Sequence, residues 1–136
     1  MPSCIFCAIV SGEAPSRRIY EDDRTLAFLD IVPLTRGHAL VVPKRHAENL
    51  FEVDEDDLAA VARTAKRVGA AAMEAFDADG LNLLQTNGAV ALQTVFHLHV
   101  HVLPRYVGDG FKVELVRAPA EEALLDEVAA GYGGVL

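Results

Sequence analysis

Three of the chain's five histidines lie within a stretch of five residues, where their spacing could support chemistry. His97, His99 and His101 occupy positions i, i+2 and i+4, and aliphatic residues fill the positions between them. Successive side chains of an extended strand point to opposite faces, so this spacing predicts three imidazoles on one face. A helix would instead scatter the three rings around its axis. We therefore predict a strand here, and we expect Pro104 to end it or to confine its end to a sheet edge.

A row of three imidazoles allows three interpretations. The histidines could be solvated residues of a structural strand, although their strict alternation counts against this. They could bind a metal, but positions i to i+4 span about 13 Å in a strand, whereas zinc–nitrogen bonds are about 2 Å long. One of the histidines could still join ligands from elsewhere in the chain. The third interpretation is nucleophilic catalysis at phosphorus, since neutral imidazole is a nucleophile near pH 7 and a second imidazole can donate to a phosphoryl oxygen.

Crowding of the imidazoles favours the third interpretation. Neighbouring imidazoles cannot all carry a charge, because protonation of one lowers the pKa of the next. A mixed set of neutral and protonated rings follows, with one ring to attack and another to stabilise charge. His99 has a histidine on each side and is the expected nucleophile.

The elements that must position these residues follow from hydrophobic periodicity and capping signals. Strands joined by short loops, with helices kept separate, predict an α+β domain built on an antiparallel sheet. The expected elements are a helix over 3–12 capped by Ser3 and closed by Gly12, a hairpin over 17–21 and 25–30, a strand over 38–43, a helix from Asp54 to near Gly80, a strand over 81–86 and a final helix opened by Pro119.

Length, charge and hydropathy bound the class of protein. At 136 residues we expect a single domain, 1–136, with a hydrophobic core of its own. A formal net charge of −8 argues against a nucleic-acid partner. No apolar run approaches the roughly 20 residues that cross a membrane, and the N-terminus lacks the pattern of a secretory signal. A cytoplasmic location is therefore expected, with no membrane partner.

The histidine stretch and its flanks resemble a known family. The run from His97 to Leu103 looks like the H-φ-H-φ-H-φ-φ signature of the histidine triad (HIT) superfamily, in which φ is apolar. Residues 93–96 and 104–105, and the upstream blocks 28–33 and 37–46, also resemble that family in the same order. The match covers about residues 4–111, so 112–136 form a C-terminal tail with a short helix. The chain is most similar to the small bacterial, Hint-like branch.

This resemblance implies a fold, an assembly and an activity. The implied fold is HIT-like: a five-stranded, meander-like antiparallel sheet with one long helix and short terminal helices. The implied assembly is a homodimer that binds a purine nucleotide and needs no organic cofactor. The implied activity is hydrolysis or transfer at the α-phosphorus of purine nucleoside phosphoramidates or related nucleotides, through a nucleotidyl-histidine intermediate. Alternatives are a dinucleoside polyphosphate hydrolase, a non-catalytic nucleotide-binding or adaptor protein, and a zinc-stabilised interaction module.

The same resemblance implies roles for individual residues. His99 would attack phosphorus, His101 would bond the phosphate, and His97 and His38 would complete a hydrogen-bond relay. Asp30 would accept from the ribose hydroxyls, although it could equally be a turn residue. The residues that match the family's base pocket, and that could equally be core residues, are Ile5, Phe6, Ile9, Phe28, Ile31 and Leu40. The residues that match its phosphate contacts are Asn87, Gln93 and Thr94.

The phosphate loop departs from the family pattern at two positions. Leu92 stands where many relatives have glycine, and Thr86 stands where an amide side chain is common. A Cβ atom restricts the backbone conformations that glycine allows. These changes bear on leaving-group preference more than on the core chemistry.

The pair Cys4 and Cys7 allows three interpretations. The cysteines could be small buried thiols, or a redox pair, although the strand–helix setting of a thioredoxin-type motif is absent. They could also supply two thiolates of a Cys₂His₂ zinc site, with His46 and His97 as candidate imidazoles. Some bacterial members of the family carry such a site at the matching positions. The resemblance therefore implies a structural zinc ion held by Cys4, Cys7, His46 and His97.

Overall fold

The computed structural model describes residues 3–136 and contains a five-stranded antiparallel sheet with three α-helices. The α+β architecture predicted from the sequence is confirmed. No helix among the described residues is long and apolar enough to cross a membrane. The strands are β1 (Arg18–Glu21), β2 (Thr25–Leu29), β3 (Ala39–Pro43), β4 (Gly80–Gln85) and β5 (Val100–Arg105), and the helices are α1 (Ile5–Ser11), α2 (Glu55–Phe76) and α3 (Glu122–Gly133), with a 3₁₀ turn at Ala89–Ala91.

The strand order is β1-β2-β3-β5-β4. Strands β1 to β3 form a meander, and β5 lies between β3 and β4. Its register sets His101 opposite Leu40 of β3 and opposite Leu84 of β4. β5 is therefore an interior strand over its first residues, and β4 is an edge strand.

The two faces of the sheet bury separate apolar clusters. Helix α2 covers one face, where its buried Val61 and Val68 pack with Val41, Leu98 and Val102. Helix α1 covers the other face together with the inward side chains of β2 and β3. The aliphatic residues between the histidines thus face α2, and the histidines lie on the α1 side, as the alternation predicts.

The histidine strand is shorter than predicted, because it begins at Val100 and leaves His97 and His99 before its start. The β3–β5 register ends with Val41 opposite Val100, and its continuation would set Pro43 opposite Leu98. Proline has no N–H to donate to the ladder. The Leu98 N–H instead donates to the Ala47 carbonyl at 2.7 Å.

Pro104 lies inside β5, opposite Leu81 of β4. Pairing with β3 stops at Val102, so Pro104 has a strand neighbour on one side only. This satisfies the expectation that a proline here sits on a local edge.

Three helix boundaries differ from the predicted ones. Helix α1 is capped by Cys4 and not by Ser3, because the Cys4 Sγ accepts from the Cys7 N–H at 3.4 Å. Helix α2 begins after its predicted cap Asp54 but ends at Phe76, where Asp77 takes a left-handed conformation. Helix α3 begins at Glu122, beyond the proline expected to open it.

The β1–β2 turn depends on one carboxylate. Asp22 accepts from the backbone N–H groups of Arg24 and Thr25 at 2.9 and 2.8 Å, from the Thr25 hydroxyl at 3.0 Å and from the Tyr20 hydroxyl at 3.0 Å. Burial alone would raise the pKa of Asp22, but these donors outweigh it and lower the pKa to about 2.

We expect Asp22→Ala to lower the free energy of unfolding by about 2 kcal/mol at pH 7, because these donors lose their acceptor. The folded pKa lies below the unfolded value, so the contribution is complete above about pH 4 and is lost as the pH falls towards 2. Urea denaturation at pH 7 and pH 3 measures both effects. Asp23→Ala, at the exposed neighbouring position, is the matched control and should stay within about 0.5 kcal/mol of the parent.

Candidate functional site

A cavity of about 590 Å³ opens between α1, the end of β2 and the start of β5. Most of its walls are apolar, and His99 and His101 lie at its polar end. Eight of the ten residues predicted to bind nucleotide line it: Ile5, Phe6, Ile9, Phe28, Asp30, Ile31, Leu40 and Thr94. Sequence reasoning missed others that flank them in the chain, namely Ala14, Pro15, Ser16, Leu29, Val32 and Val95.

His99 is held in one tautomer by the backbone. Its Nδ1 lies 2.7 Å from the His97 carbonyl oxygen, which only accepts, so Nδ1 carries the proton. In the neutral ring, Nε2 then holds a free lone pair. Burial lowers the pKa of His99, while the hydrogen bond to the His97 carbonyl and the charge of Asp30 act in the opposite direction. The fold therefore favours an unprotonated, nucleophilic Nε2.

A second chain of hydrogen bonds sets the tautomer of His101. The backbone N–H of Leu34 donates to His38 Nδ1 at 3.1 Å, so the proton of neutral His38 is on Nε2. His38 Nε2 donates to His101 Nδ1 at 2.9 Å, and the proton of His101 is therefore on Nε2. The ring centroids of His99 and His101 are 4.9 Å apart. The site thus sets a lone pair on one ring beside an N–H donor on the next.

His101 is kept neutral by its surroundings. Burial, together with the nearby His99 and His38, lowers its pKa to about 4, although the carboxylate of Asp30 acts in the opposite direction. The Asp30 Oδ2 lies 3.5 Å from His38 Nε2, and its Oδ1 accepts from the Val32 N–H at 2.8 Å. Near pH 7 the His101 ring is an N–H donor without a positive charge.

The His101 ring should titrate with a midpoint near pH 4, well below the ordinary imidazole value. Asp30→Asn should lower this midpoint further, because the lost negative charge no longer favours the imidazolium. Imidazole resonances in a pH series of long-range ¹⁵N spectra measure both. Asp126→Asn, on the exposed helix α3, should leave the midpoint unchanged. A midpoint at or above 6.5 in the parent would contradict the burial argument.

The four candidate metal ligands come together beside the cavity. All four ligand atoms of Cys4, Cys7, His46 and His97 lie within 4.8 Å of one another. Nδ1 of His97 is 3.5 Å from the Sγ of each cysteine and 3.2 Å from His46 Nδ1, and Cys7 Sγ is 3.4 Å from His46 Nδ1. Zinc–sulfur and zinc–nitrogen bonds in a tetrahedron require separations of roughly 3.3 to 3.8 Å between ligand atoms. The donor set and its spacing fit a zinc ion.

The hydrogen bond of the second ring nitrogen of His97 fixes the tautomer that a metal ligand requires. Its Nε2 donates to the Pro43 carbonyl at 2.8 Å, which leaves the lone pair of neutral His97 on Nδ1. A backbone acceptor of this kind is the usual partner of a metal-binding histidine. Burial and the neighbouring Cys4 raise the pKa of Cys7 to about 11, so binding of a cation would have to release the thiol proton.

His97 therefore does not bring its ring into the cavity. Both ring nitrogens are engaged elsewhere, and its carbonyl oxygen is the atom that reaches His99. The hydrogen bond to His99 that was expected from the His97 imidazole is made instead by the His97 backbone carbonyl. The three histidines of the motif have three different surroundings.

Two of the predicted phosphate contacts lie outside the cavity. Gln93 is buried: its Oε1 accepts from the Gly88 N–H, and its Nε2 donates to the carbonyls of Glu48 and Val95. Asn87 pairs with the Gln85 amide and accepts from the Leu50 N–H. Both side chains are hydrogen-bonded within and around their own loop, and neither lines the cavity.

Leu92 and Thr86, the two residues of the phosphate loop that depart from the family pattern, have different backbone environments. Leu92 takes the left-handed backbone conformation, with φ of 74°, that a glycine would adopt without strain. Its side chain is 79% exposed. Thr86 follows β4, and its carbonyl accepts from the Gln85 amide at 3.1 Å.

Comparison with known proteins identifies relatives across most of the chain. The family model described as "HIT domain" matches residues 11–108. The Bacillus subtilis "Protein hit" is 46% identical over 110 residues, which cover 80% of this chain and 76% of the relative. The Arabidopsis thaliana protein named adenylylsulfatase HINT3 is 42% identical over 75% of this chain and 52% of its own length.

Solved structures agree with the fold. The crystal structure of SMU.412c from Streptococcus mutans superposes with a TM-score of 0.94 at 40% identity, covering 98% of this chain and 85% of the other. A zinc-bound histidine triad family protein from Mycobacterium smegmatis has a TM-score of 0.76 at 44% identity, covering 95% and 97% of the two chains. The family model and these identities show that the chain belongs to the HIT domain family.

Proposed function

We propose that this protein is a nucleotide hydrolase that acts at the α-phosphorus of purine nucleoside phosphoramidates. One observation carries the proposal: a backbone hydrogen bond to His99 leaves it a free lone pair, and a hydrogen bond from His38 leaves His101 an N–H donor in the same cavity. A protein that only binds nucleotide has no need of a nucleophile held in one tautomer. Membership of a family that includes a named adenylylsulfatase supports chemistry at a nucleotide phosphorus.

In the proposed reaction, His99 Nε2 attacks the α-phosphorus and forms a P–N bond while the bond to the leaving amine breaks. The departing nitrogen takes up a proton from solvent and leaves as the neutral amine, while the Nε2–H of His101 donates a hydrogen bond to it. Water then attacks the nucleotidyl-histidine and gives up a proton to solvent, the P–N bond to His99 breaks, and the nucleoside monophosphate leaves. His38 keeps His101 oriented through the bond between their rings.

The walls of the cavity suit a nucleoside. Its apolar part, including Phe6, Phe28 and Leu40, would receive the flat faces of a purine. Asp30 lies between this part and the histidines, where its carboxylate could accept from ribose hydroxyls, since each carboxylate oxygen has more than one acceptor position. In this proposal Thr94 contacts phosphate, and Asn87 and Gln93 act indirectly by shaping their loop.

We also propose that Cys4, Cys7, His46 and His97 hold a structural zinc ion. Such an ion supplies cross-linking and no step of the reaction. It would tie the start of α1 to the segment before β5, and α1 carries Phe6, whose ring centroid is 5.1 Å from that of His99. The zinc-bound Mycobacterium smegmatis relative supports this assignment.

The assembly expected from the family resemblance is a homodimer, which we propose for this chain as well. Edge strand β4 supports it, because Leu83 and Leu84 are 54% and 43% exposed there. The cytoplasmic location expected from the sequence stays a prediction.

Incubation of the purified protein with a panel of adenosine and guanosine phosphoramidates, adenylyl sulfate and dinucleoside polyphosphates tests the function. We expect release of AMP or GMP from the phosphoramidates at the highest rate. Faster cleavage of dinucleoside polyphosphates would replace the proposed substrate class with the alternative one. Nucleotide binding without turnover of any substrate would establish the non-catalytic alternative.

A further inference from the structure

Cys4 and Cys7 enclose two wall residues of the nucleotide cavity. Ile5 and Phe6 lie between the cysteines in the sequence, and both line the apolar part of that cavity. The Phe6 ring lies edge-on to His99, with 5.1 Å between the ring centroids and an angle of 90° between the ring planes. A change in the bonding of the two sulfur atoms therefore reaches the cavity wall within one or two residues.

A second connection runs from the cysteines to the cavity through His97. Its Nδ1 lies 3.5 Å from the Sγ of each cysteine, and its Nε2 donates to the Pro43 carbonyl. The backbone carbonyl of the same residue fixes the tautomer of His99. The position of that carbonyl thus depends in part on how Cys4 and Cys7 are bonded.

The cysteine cluster is accessible to small molecules. A second cavity, of about 520 Å³, adjoins the nucleotide cavity, and Cys4 and His46 are among the residues that line it. Glu48 and Glu52 line it as well, and their negative charges disfavour the entry of anionic reagents. A small neutral oxidant such as hydrogen peroxide would therefore reach Cys4 through this cavity.

The two sulfur atoms are near enough to be joined. Both belong to the set of ligand atoms that lie within 4.8 Å of one another. A disulfide brings its sulfur atoms to about 2.05 Å, so closure requires an approach that the backbone of Ile5 and Phe6 must accommodate. A thiol bound to a metal cation is deprotonated, and the thiolate is the form that a peroxide oxidises.

We propose that Cys4 and Cys7 form a redox switch, which hydrogen peroxide closes to a disulfide with release of the zinc ion and loss of nucleotide affinity. The Cys4 thiolate attacks one peroxide oxygen, the O–O bond breaks, and a sulfenic acid and hydroxide form. The Cys7 thiolate attacks the sulfenic sulfur, the S–S bond forms, and the S–O bond breaks to release a second hydroxide. Both hydroxides take up protons from solvent, so two thiolates and one peroxide give one disulfide and two waters.

The oxidised chain keeps two of the four ligands. His46 and His97 alone do not complete a tetrahedral zinc site, so the ion leaves. Helix α1 then loses its tie to the segment before β5, and the approach of the sulfur atoms displaces the wall formed by Ile5 and Phe6. A dithiol reverses the reaction by thiol–disulfide exchange. The inference rests on the zinc ion and the nucleotide site proposed above, and not on hydrolysis.

Treatment of the zinc-loaded full chain with hydrogen peroxide tests the switch. A chromogenic zinc chelator should report about one zinc ion released per chain. The mass of the metal-free chain should fall by about 2 Da, which corresponds to the loss of two hydrogen atoms. The dissociation constant for AMP should rise at least about fivefold, the lower end of the usual coupling between two sites. Dithiothreitol with added zinc should restore both the mass and the affinity.

Two variants serve as controls for the peroxide treatment. Cys4→Ser/Cys7→Ser should have the same dissociation constant for AMP before and after peroxide. Ser3→Ala changes the lining of the same cavity without removing a sulfur atom, and it should respond as the parent does. A parent that keeps its zinc, or that gains oxygen atoms without losing hydrogen, would refute the disulfide. A disulfide that leaves the dissociation constant for AMP unchanged would refute the coupling to the cavity.

Hydrogen exchange provides a readout without nucleotide. The amides of α1 should exchange at least about tenfold faster in the oxidised protein, because the helix has lost its tie, while those of α2 should keep their rate. Equal exchange of α1 in the two states would contradict the proposed loosening. No readout depends on turnover, so a protein that is oxidised in this way but cleaves no phosphoramidate would refute the proposed function and leave this inference standing.

Discussion

Replacement of His99 by asparagine should reduce turnover of an adenosine phosphoramidate by at least about 10³-fold. The substitution removes the only lone pair that the backbone leaves free beside the His101 donor, and loss of a nucleophile is among the largest single effects on kcat. The asparagine amide can still donate towards the His97 carbonyl, so the local fold should persist. Single-turnover kinetics with saturating enzyme measure the loss.

Two measurements accompany this variant. The dissociation constant for AMP should stay within about threefold of the parent value, because the substitution leaves the apolar walls of the cavity intact. A base quench during turnover should reveal a nucleotidyl adduct by mass in the parent and none in the variant, since a P–N bond to imidazole survives base. Unchanged turnover in His99→Asn would remove His99 as the nucleophile.

The second large effect concerns the Cys₂His₂ cluster. We expect the protein as isolated to contain about one zinc ion per chain and Cys4→Ser/Cys7→Ser to contain none. The variant should unfold at a temperature at least about 10 °C lower, because a bound structural zinc stabilises the folded state by several kcal/mol. Metal analysis by mass spectrometry and thermal unfolding monitored by circular dichroism measure the two effects.

Ser3→Ala serves as the control for the cysteine variant, since it changes an exposed residue at the same helix start without removing a ligand. Its zinc content and unfolding temperature should match those of the parent. Equal and negligible zinc in the parent and in the cysteine variant would show that the cluster holds no zinc. A zinc-free parent as stable as the loaded one would show that the ion has no structural role.

Local sequence pattern was sufficient for most of the strands, whereas the residues of the apolar half of the cavity were predicted from the family resemblance. Alternation placed the histidines on one face, because a strand has a period of two whatever its neighbours are. The start of β5 could not be predicted in this way. It depends on Pro43, a residue of another strand that faces Leu98 only after the register is set.

The roles of single side chains were harder to predict than their positions. Gln93 lies next to Thr94 in the sequence, yet its amide is used by Gly88, Glu48 and Val95. Hydrogen bonds from a side chain to backbone groups, whether nearby as at Gly88 and Val95 or distant as at Glu48, leave no periodic signal in the sequence. The same holds for His97, whose ring belongs to the cysteine cluster while its carbonyl belongs to the cavity.

The neutral rings at the polar end of the cavity also affect how an anionic ligand would arrive. Near pH 7 the low pKa of His101 leaves its ring uncharged, and the chain as a whole carries a formal charge of −8. The negative net charge of the protein therefore repels an anionic nucleotide at long range, and the hydrogen-bond donors of the cavity attract it only once it is in contact. Because added salt screens such repulsion over a Debye length of about 10 Å at 0.1 M, encounter should become faster as ionic strength rises. Proteins that attract phosphates through basic patches show the opposite dependence.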